Sequence, residues 1–111
     1  MTDLGAEDAK LVTLAKAARS RVQASQGAAV RDTTGRTYAS ANVERPGLHL
    51  SAIELAVGQA YASGATGLEA VVLCAENDFT QADREILTSP NASVAGFFID
   101  LSGDVRGHTS F

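Results

Sequence analysis

One short apolar run restricts the fold of this chain more than any other feature. Within the segment 69–75, residues 70–74 read Ala-Val-Val-Leu-Cys. The run is too short for a helix and apolar throughout, which is typical of a strand covered on both of its faces. It therefore predicts the central strand of a sheet that has other structure packed above and below it.

Three other segments have apolar residues at helical spacing. The first, residues 5–23, carries them at Leu4, Leu11, Leu14, Ala18 and Val22. The longest, residues 48–63, carries them at Leu50, Ile53, Ala56, Val57, Ala60 and Tyr61. Gly64 is placed to end this second helix. Residues 80–88 predict a short third helix that Ser89-Pro90 stops.

The remaining segments predict strands. Residues 28–31 and 36–41 flank the polar turn 32–35, which is the pattern of a β-hairpin. Residues 93–101 predict a final strand before a turn at 102–104. The order is α-β-β-α-β-α-β. Because parallel neighbours need crossover connections, this order predicts one domain over the whole chain, with a mixed sheet and helices on both faces.

Composition excludes several classes of protein. The chain has 111 residues, a formal net charge of −4 and no apolar run near the ~20 residues that span a bilayer. Asp3, Glu7 and Asp8 stand where a signal peptide would be basic, so we expect a cytoplasmic protein with no membrane contact. The negative charge argues against nucleic-acid binding. Lys16, Arg19 and Arg21 form the only local basic group, and a solvated helix face is favoured there over a phosphate site.

The predicted hairpin carries a family resemblance. Residues 27–30 read Gly-Ala-Ala-Val, and the strand from 38 to 44 ends in Asn-Val-Glu. These motifs, with the order of elements, resemble the small homotetrameric cytidine deaminases. The resemblance implies a three-layer α/β/α cytidine deaminase-like fold. It also implies that Asn42 and Glu44 hold the ribose hydroxyls of a nucleoside, a task that suits an amide and a carboxylate.

A structural role for the same two residues is equally open. Asn42 and Glu44 also fit a polar strand end whose side chains bond the following loop. Arg45 replaces the second asparagine of the family motif, and residues 46–47, Pro-Gly, indicate a shortened loop. The aromatic segment that helps to hold the ligand in the family is absent between residues 22 and 27.

The first catalytic motif of the family is lost. The family reads Gly-Leu-Thr-x-Cys-Ala-Glu-Arg, whereas residues 47–54 read Gly-Leu-His-Leu-Ser-Ala-Ile-Glu. Ser51 replaces the zinc-binding cysteine, and Ile53 replaces the glutamate that moves protons between zinc-bound water and the base. Glu54 replaces the arginine that offsets thiolate charge. An isoleucine cannot transfer a proton.

The second motif is lost as well. The family reads Pro-Cys-Gly-x-Cys-Arg-Gln-x-Leu, whereas residues 79–87 read Phe-Thr-Gln-Ala-Asp-Arg-Glu-Ile-Leu. Thr80 and Asp83 replace the two cysteines. A catalytic zinc needs about three protein ligands, and of the matched positions only Asp83 offers one. The resemblance therefore predicts a divergent member with no metal, no cofactor and no catalytic residue.

The substituted residues match another pattern. Ser51 with Glu54, and Thr80 with Asp83, have the hydroxyl and acid spacing of a capping box. We therefore predict that the two helices, which begin at metal-bound thiolates in the family, are closed here by their own side chains. A helix cap is favoured over a nucleophile because no histidine is evidently paired with either hydroxyl.

The one cysteine is not a relic of the zinc site. Residues 74–76 spell Cys-Ala-Glu, but they lie at the end of the predicted central strand rather than at a helix start. A lone cysteine cannot form a disulfide within the chain or complete a zinc site. Cys74 is therefore interpreted as a small buried hydrophobe.

Three hypotheses for function remain. The first is a catalytically inactive cytidine deaminase-like protein that binds a nucleoside or related small ligand through Asn42 and Glu44. The second is a purely structural interaction protein. The third is a deaminase or hydrolase with a rearranged metal centre built from His49, Asp78 and Asp83.

Assembly is a further expectation. The resembled deaminases are tetramers, and a small domain gains stability from association, so a homo-oligomer, tetramer or dimer, is predicted. Residues 106–111, which contain His108, are interpreted as a frayed or docking tail.

Overall fold

The computed structural model of the chain describes residues 4–88 and 93–111, and this part contains three helices and seven strands. The elements, in chain order, are α1 (Ala6–Val22), β1 (Gly27–Asp32), β2 (Thr37–Ala41), β3 (Val43–Arg45), β4 (Leu48–Leu50), α2 (Ala52–Ala62), β5 (Leu68–Cys74), α3 (Gln81–Leu87), β6 (Ala95–Ile99) and β7 (Val105–Ser110). No helix of this part is both long enough and apolar enough to cross a membrane.

Five strands form one mixed sheet in the order β2-β1-β5-β6-β7, with β5 at its centre. Strands β5 and β6 are parallel, and α3 lies in the crossover between them. The other neighbouring pairs are antiparallel. All but one residue of β5 are buried, because helices cover both of its faces. The predicted central strand and mixed sheet are confirmed.

Alternate residues of β5 point into two separate cores. Val71 and Leu73 lie in the core under α2 and α3. Ala70, Val72 and Cys74 lie in the core under α1. This alternation is the period of two along a strand, here with an apolar residue at every position. The predicted three-layer α/β/α arrangement is confirmed.

Helix α1 packs closely on the sheet through residues that are small. It buries Leu11, Ala15 and Ala18. A Cβ atom at Gly27 would overlap the carbonyl oxygen of Ala15, so only glycine allows β1 to approach the helix this closely. The prediction that Val22 belongs to the buried face was wrong. Val22 is 63% exposed because the last turn of α1 extends beyond its contact with the sheet.

The second helix begins later than its pattern predicted. Residues 48–50 are not its first turn but strand β4, which pairs antiparallel with β3 in a small separate hairpin. Pro46 and Gly47 form the connection, and Gly47 takes a φ of +80° that favours glycine. The backbone of Ser51 is still extended, so α2 starts at Ala52. The predicted end is confirmed: α2 closes at Ala62, with Gly64 at positive φ.

The last predicted strand was also too long and was not the last. It covers Ala95–Ile99, and β7 follows it as the edge strand. The predicted tail is therefore docked rather than frayed: the His108 ring stacks on Phe97 at 4.5 Å, and Phe111 meets Phe79 edge to face at 5.0 Å. The predicted helix stop at Ser89-Pro90 lies outside the described residues.

The β1–β2 turn is built around a buried carboxylate. Asp32 Oδ1 accepts hydrogen bonds from the Thr34 hydroxyl at 2.7 Å, the Thr34 N–H at 2.9 Å and the Arg36 N–H at 3.0 Å. Its Oδ2 accepts from the Tyr38 hydroxyl at 3.0 Å. These bonds, the Thr34 hydroxyl first, lower the pKa of Asp32 to about 2 although burial opposes the charge.

We expect Asp32 to make the stability of the fold depend on acid. Its pKa is about 2 when folded against 3.8 for an ordinary aspartate, so the unfolded chain binds the proton first as the pH falls. The stabilisation is complete above pH ~4 and is lost between pH ~4 and ~2. Asp32→Asn should lower the urea midpoint at pH 7 and flatten its fall over that window. The exposed Asp104→Asn is the control, and an unchanged pH profile in Asp32→Asn would contradict the expectation.

Candidate functional site

The N-terminus of α2 is closed by its own side chains. The Glu54 N–H donates to Ser51 Oγ at 3.0 Å, and the Ser51 N–H donates to Glu54 Oε1 at 2.8 Å. This is the reciprocal capping box that the spacing predicts. Glu54 also places a negative charge in the first turn, where the helix dipole favours it.

The N-terminus of α3 repeats the arrangement. The Asp83 N–H donates to Thr80 Oγ1 at 3.1 Å, and the Thr80 N–H donates to Asp83 Oδ2 at 2.9 Å. Asp83 is only 5% exposed, so this carboxylate is held within the helix start. Both predicted capping boxes are confirmed.

Ile53, at the position of the family glutamate, belongs to the core. It is 1% exposed and lies in the apolar cluster that joins α2 to the sheet. The preceding residue has the same role, since Ala52 is also fully buried. The first turn of α2 therefore presents a hydrocarbon side chain to the interior and no group that titrates.

A polar cleft lies beside the start of α2. Its volume is about 430 Å³. Its lining residues are Ser25, Gln26, Asn42, Glu44, His49, Leu50, Ser51 and Glu54. The structure thus brings Asn42, Glu44 and Ser51, three residues singled out in the sequence, to one place. Thr80 and Asp83 do not line this cleft.

Asn42 is held by the loop that precedes β1. Its Oδ1 accepts from the Gln26 N–H at 2.9 Å, and its Nδ2 donates to Ser25 Oγ at 3.1 Å. The structural alternative placed such bonds in the following loop, which is wrong for Asn42. The observed partners lie 16 and 17 residues earlier, because β1 and β2 are antiparallel and bring the start of one to the end of the other.

Gln26 is a site residue that the sequence did not indicate. Its side-chain Oε1 accepts from the Ala52 N–H at 3.2 Å, which satisfies a free donor at the start of α2. One residue therefore joins the end of β2, through Asn42, to the start of α2. The only available signal was a long amide side chain directly before Gly27, and its partner 26 residues away is set by the fold.

Glu44 and His49 face each other across the β3–β4 hairpin. They are register partners, and Glu44 Oε2 lies 3.2 Å from His49 Nδ1. Their side chains are 65% and 68% exposed respectively. Because the pair is solvated, a ligand hydroxyl can compete for the Glu44 carboxylate at small cost.

The metal centre of the third hypothesis is not formed within the described part of one chain. His49 is paired with Glu44, Asp78 accepts from the Phe79 N–H at 2.7 Å, and Asp83 caps α3. Within residues 4–88 and 93–111, no three histidine, cysteine, aspartate or glutamate side chains converge as metal ligands. Asp78 and Asp83 each accept a hydrogen bond from a backbone N–H close by in sequence, so they do not converge on His49.

Cys74 is fully buried at the end of β5, as predicted. Burial raises the pKa of its thiol, so the nucleophilic thiolate is disfavoured. Cys74 is therefore part of the apolar core under α1.

We expect the two caps to be stabilising without metal. Ser51→Ala and Thr80→Ala should each lower the free energy of unfolding by about 0.5 to 2 kcal/mol. Thr80→Ala should cost more, because its hydrogen bond is part-buried whereas that of Ser51 is exposed. Ser51→Thr and Thr80→Ser keep an acceptor and serve as controls in urea unfolding. Losses that disappear in EDTA would show that these residues act through a bound ion instead.

The fold and the two capped helix starts define a class of protein. A five-strand mixed sheet with α1 on one face and α2 and α3 on the other is a small α/β/α domain of the deaminase type. A sequence model of the family described as cytidine deaminase-like matches residues 4–103, and the chain belongs to this family. No curated protein sequence matches the chain.

Solved structures agree with this assignment. Cytidine deaminase from Burkholderia pseudomallei is 28% identical, with a TM-score of 0.75 over 99% of this chain and 93% of that one. Cytidine deaminase from Mycobacterium leprae is 22% identical, with a TM-score of 0.65 over 97% of this chain and 94% of that one. The second likeness shows the fold alone.

Proposed function

We propose that this protein is a cytidine deaminase-like domain that binds a nucleoside-type ligand and does not catalyse hydrolytic deamination. The observation that carries the proposal is the pair of capping boxes at the starts of α2 and α3. The hydroxyls and carboxylates that replace the zinc-binding motifs are already engaged with the helix backbone.

The residues at these positions do not fit a catalytic zinc ion. Ser51 and Thr80 offer neutral hydroxyls, whereas zinc in proteins is held by thiolates, imidazoles and carboxylates. Asp83 could offer a carboxylate, but it is buried and bonded to the Thr80 N–H. Without activated water and with Ile53 in place of the proton-transferring group, no hydrolytic step has a catalyst.

Ligand binding is supported by the polar cleft. Its volume of about 430 Å³ lies within the usual range of small-molecule sites. Asn42 keeps one amide hydrogen and one lone pair beyond its bonds to the loop. Glu44 offers an exposed carboxylate at the same cleft. These two groups match the vicinal hydroxyls of a ribose, one as donor and acceptor, the other as acceptor.

The proposal is tested by calorimetric titration with cytidine and with 2′,3′-dideoxycytidine. The dideoxy compound lacks the hydroxyls, so its affinity should be about tenfold lower or worse. Glu44→Gln should weaken cytidine binding and leave dideoxycytidine binding unchanged. Glu7→Gln, an exposed acid on α1, is the matched control. Equal affinity for both compounds, or full affinity in Glu44→Gln, would contradict the assignment of the ribose to this cleft.

A purely structural role is the second candidate, and two exposed apolar side chains favour it. Tyr61 on α2 is 46% exposed and Leu48 on β4 is 47% exposed. If the protein binds neither compound in the titration above, the structural role becomes the favoured function. The homo-oligomer expected from the resemblance remains a prediction under either function.

A further inference from the structure

A second cleft lies on the opposite face of the sheet from the nucleoside site. It runs along the outer surface of α1 to the turn after β6 and has a volume of about 400 Å³. Its floor and rim contain Val12, Thr13, Lys16, Arg19, Ser20 and Leu101. It therefore combines two cations, two hydroxyls and an apolar wall in one place.

The two cations have no carboxylate partners. Among the described residues, the arginines paired with acids are Arg31 and Arg106, while Lys16 and Arg19 make no ion pair. Their spacing of three places them on one side of α1. In a chain with a net charge of −4, two adjacent unpaired cations at a cleft form a local positive site.

Among the described residues, Arg19 differs from the other basic residues because one of its polar atoms is buried without a partner. Its Nε is buried, and within residues 4–88 and 93–111 no atom accepts its hydrogen bond. Buried polar groups are nearly always satisfied, so this donor is unusual. Because the Nε has no accessible surface, a ligand in the cleft would meet the terminal nitrogens of the guanidinium instead. The dipole of α1 favours a cation in its last turn, near the carbonyl end. This effect accounts for the exposed Arg21 as well as for Arg19. It does not explain the buried Nε.

We propose that this cleft binds a small organic phosphate, which replaces the expectation of a solvated helix face at Lys16 and Arg19. The phosphate group lies against Lys16 and Arg19, and the organic group lies against Val12 and Leu101. A phosphate monoester carries a charge near −2 at neutral pH, which matches two unpaired cations, and its oxygens suit the planar guanidinium. Ser20 adds a hydroxyl donor at the rim. The site is separate from the proposed nucleoside site and does not depend on it.

Phenyl phosphate is the probe, and backbone amide NMR is the measurement. Titration should shift the amides of residues 12–20 and 101 and leave those of α2 unchanged. Inorganic phosphate should shift the same amides with weaker affinity, because it lacks the apolar group. Benzyl alcohol, the apolar part without the charge, should not bind. Comparison of the three compounds distinguishes a phosphate ester from a free phosphate ion as the preferred ligand.

Substitutions decide the role of the cations. Lys16→Gln and Arg19→Gln should each raise the phenyl phosphate dissociation constant about tenfold or more. Arg21→Gln, on the same helix but outside the cleft, should leave it unchanged. The proposal is overturned if the parent protein binds no phenyl phosphate at a concentration of about 10 mM. It is also overturned if the amide shifts lie outside the cleft, or if Arg21→Gln weakens binding as much as the other two substitutions.

Discussion

Protein purified without added zinc will contain far less than one zinc per chain and will not convert cytidine into uridine. In the two capping boxes, Ser51, Thr80 and Asp83 are bonded to the helix backbone, and Ile53 cannot transfer a proton. Hydrolytic enzymes accelerate their reactions by at least about a millionfold, so the loss of both metal and proton transfer is a large and measurable difference.

Metal analysis and the loss of cytidine absorbance measure the two outcomes independently. The cytidine deaminase from Burkholderia pseudomallei, whose structure this chain resembles, provides the positive control under the same purification. About one tightly bound zinc per chain together with uridine formation would reject the proposed inactivity. Zinc without turnover would reject only the statement that the capped positions do not fit a metal.

Restoring the family glutamate at position 53 will destabilise the fold rather than restore chemistry. Ile53→Glu places a carboxylate in an apolar cluster where the present side chain is 1% exposed. An unpaired buried charge costs several kcal/mol, and the lost packing of isoleucine adds to it. We expect the free energy of unfolding to fall by roughly 4 kcal/mol or more, a large share of the ~5 to 15 kcal/mol typical of a domain.

Ile53→Val is the matched control, because it removes one methylene from the same position and should cost about 0.5 to 1.5 kcal/mol. Urea unfolding of both variants separates burial of a charge from loss of volume. If Ile53→Glu unfolds at the same urea concentration as the parent, the side chain at position 53 faces the cleft rather than the core. The cleft would then retain the geometry of a catalytic site.

The capping boxes show what kind of site feature a sequence can predict. Ser51 and Glu54 are three residues apart, and the helical backbone alone brings a side chain at the cap to the third residue. The same holds for Thr80 and Asp83. Neither prediction needed knowledge of the rest of the fold.

The β3–β4 hairpin shows where sequence patterns fail. Leu48 and Leu50 fit the helical spacing of α2, yet they pair with β3. The turn at Gly47 and the extended backbone at Ser51 separate them from the helix. A three-residue strand is too short to show an alternation of apolar and polar residues. Its two leucines were therefore assigned to the adjacent helix.

The sequence by itself determined the central strand, the order of the main elements and the caps, because each depends on spacing within one short segment. Only the tertiary structure decided that Gln26 bonds the start of α2, that Asn42 is held by residues 25–26, and that Arg19 lies beside Lys16 at a cleft with its Nε buried. These contacts join distant parts of the chain. They depend on which strand ends meet and how closely α1 approaches β1, and no local spacing specifies either.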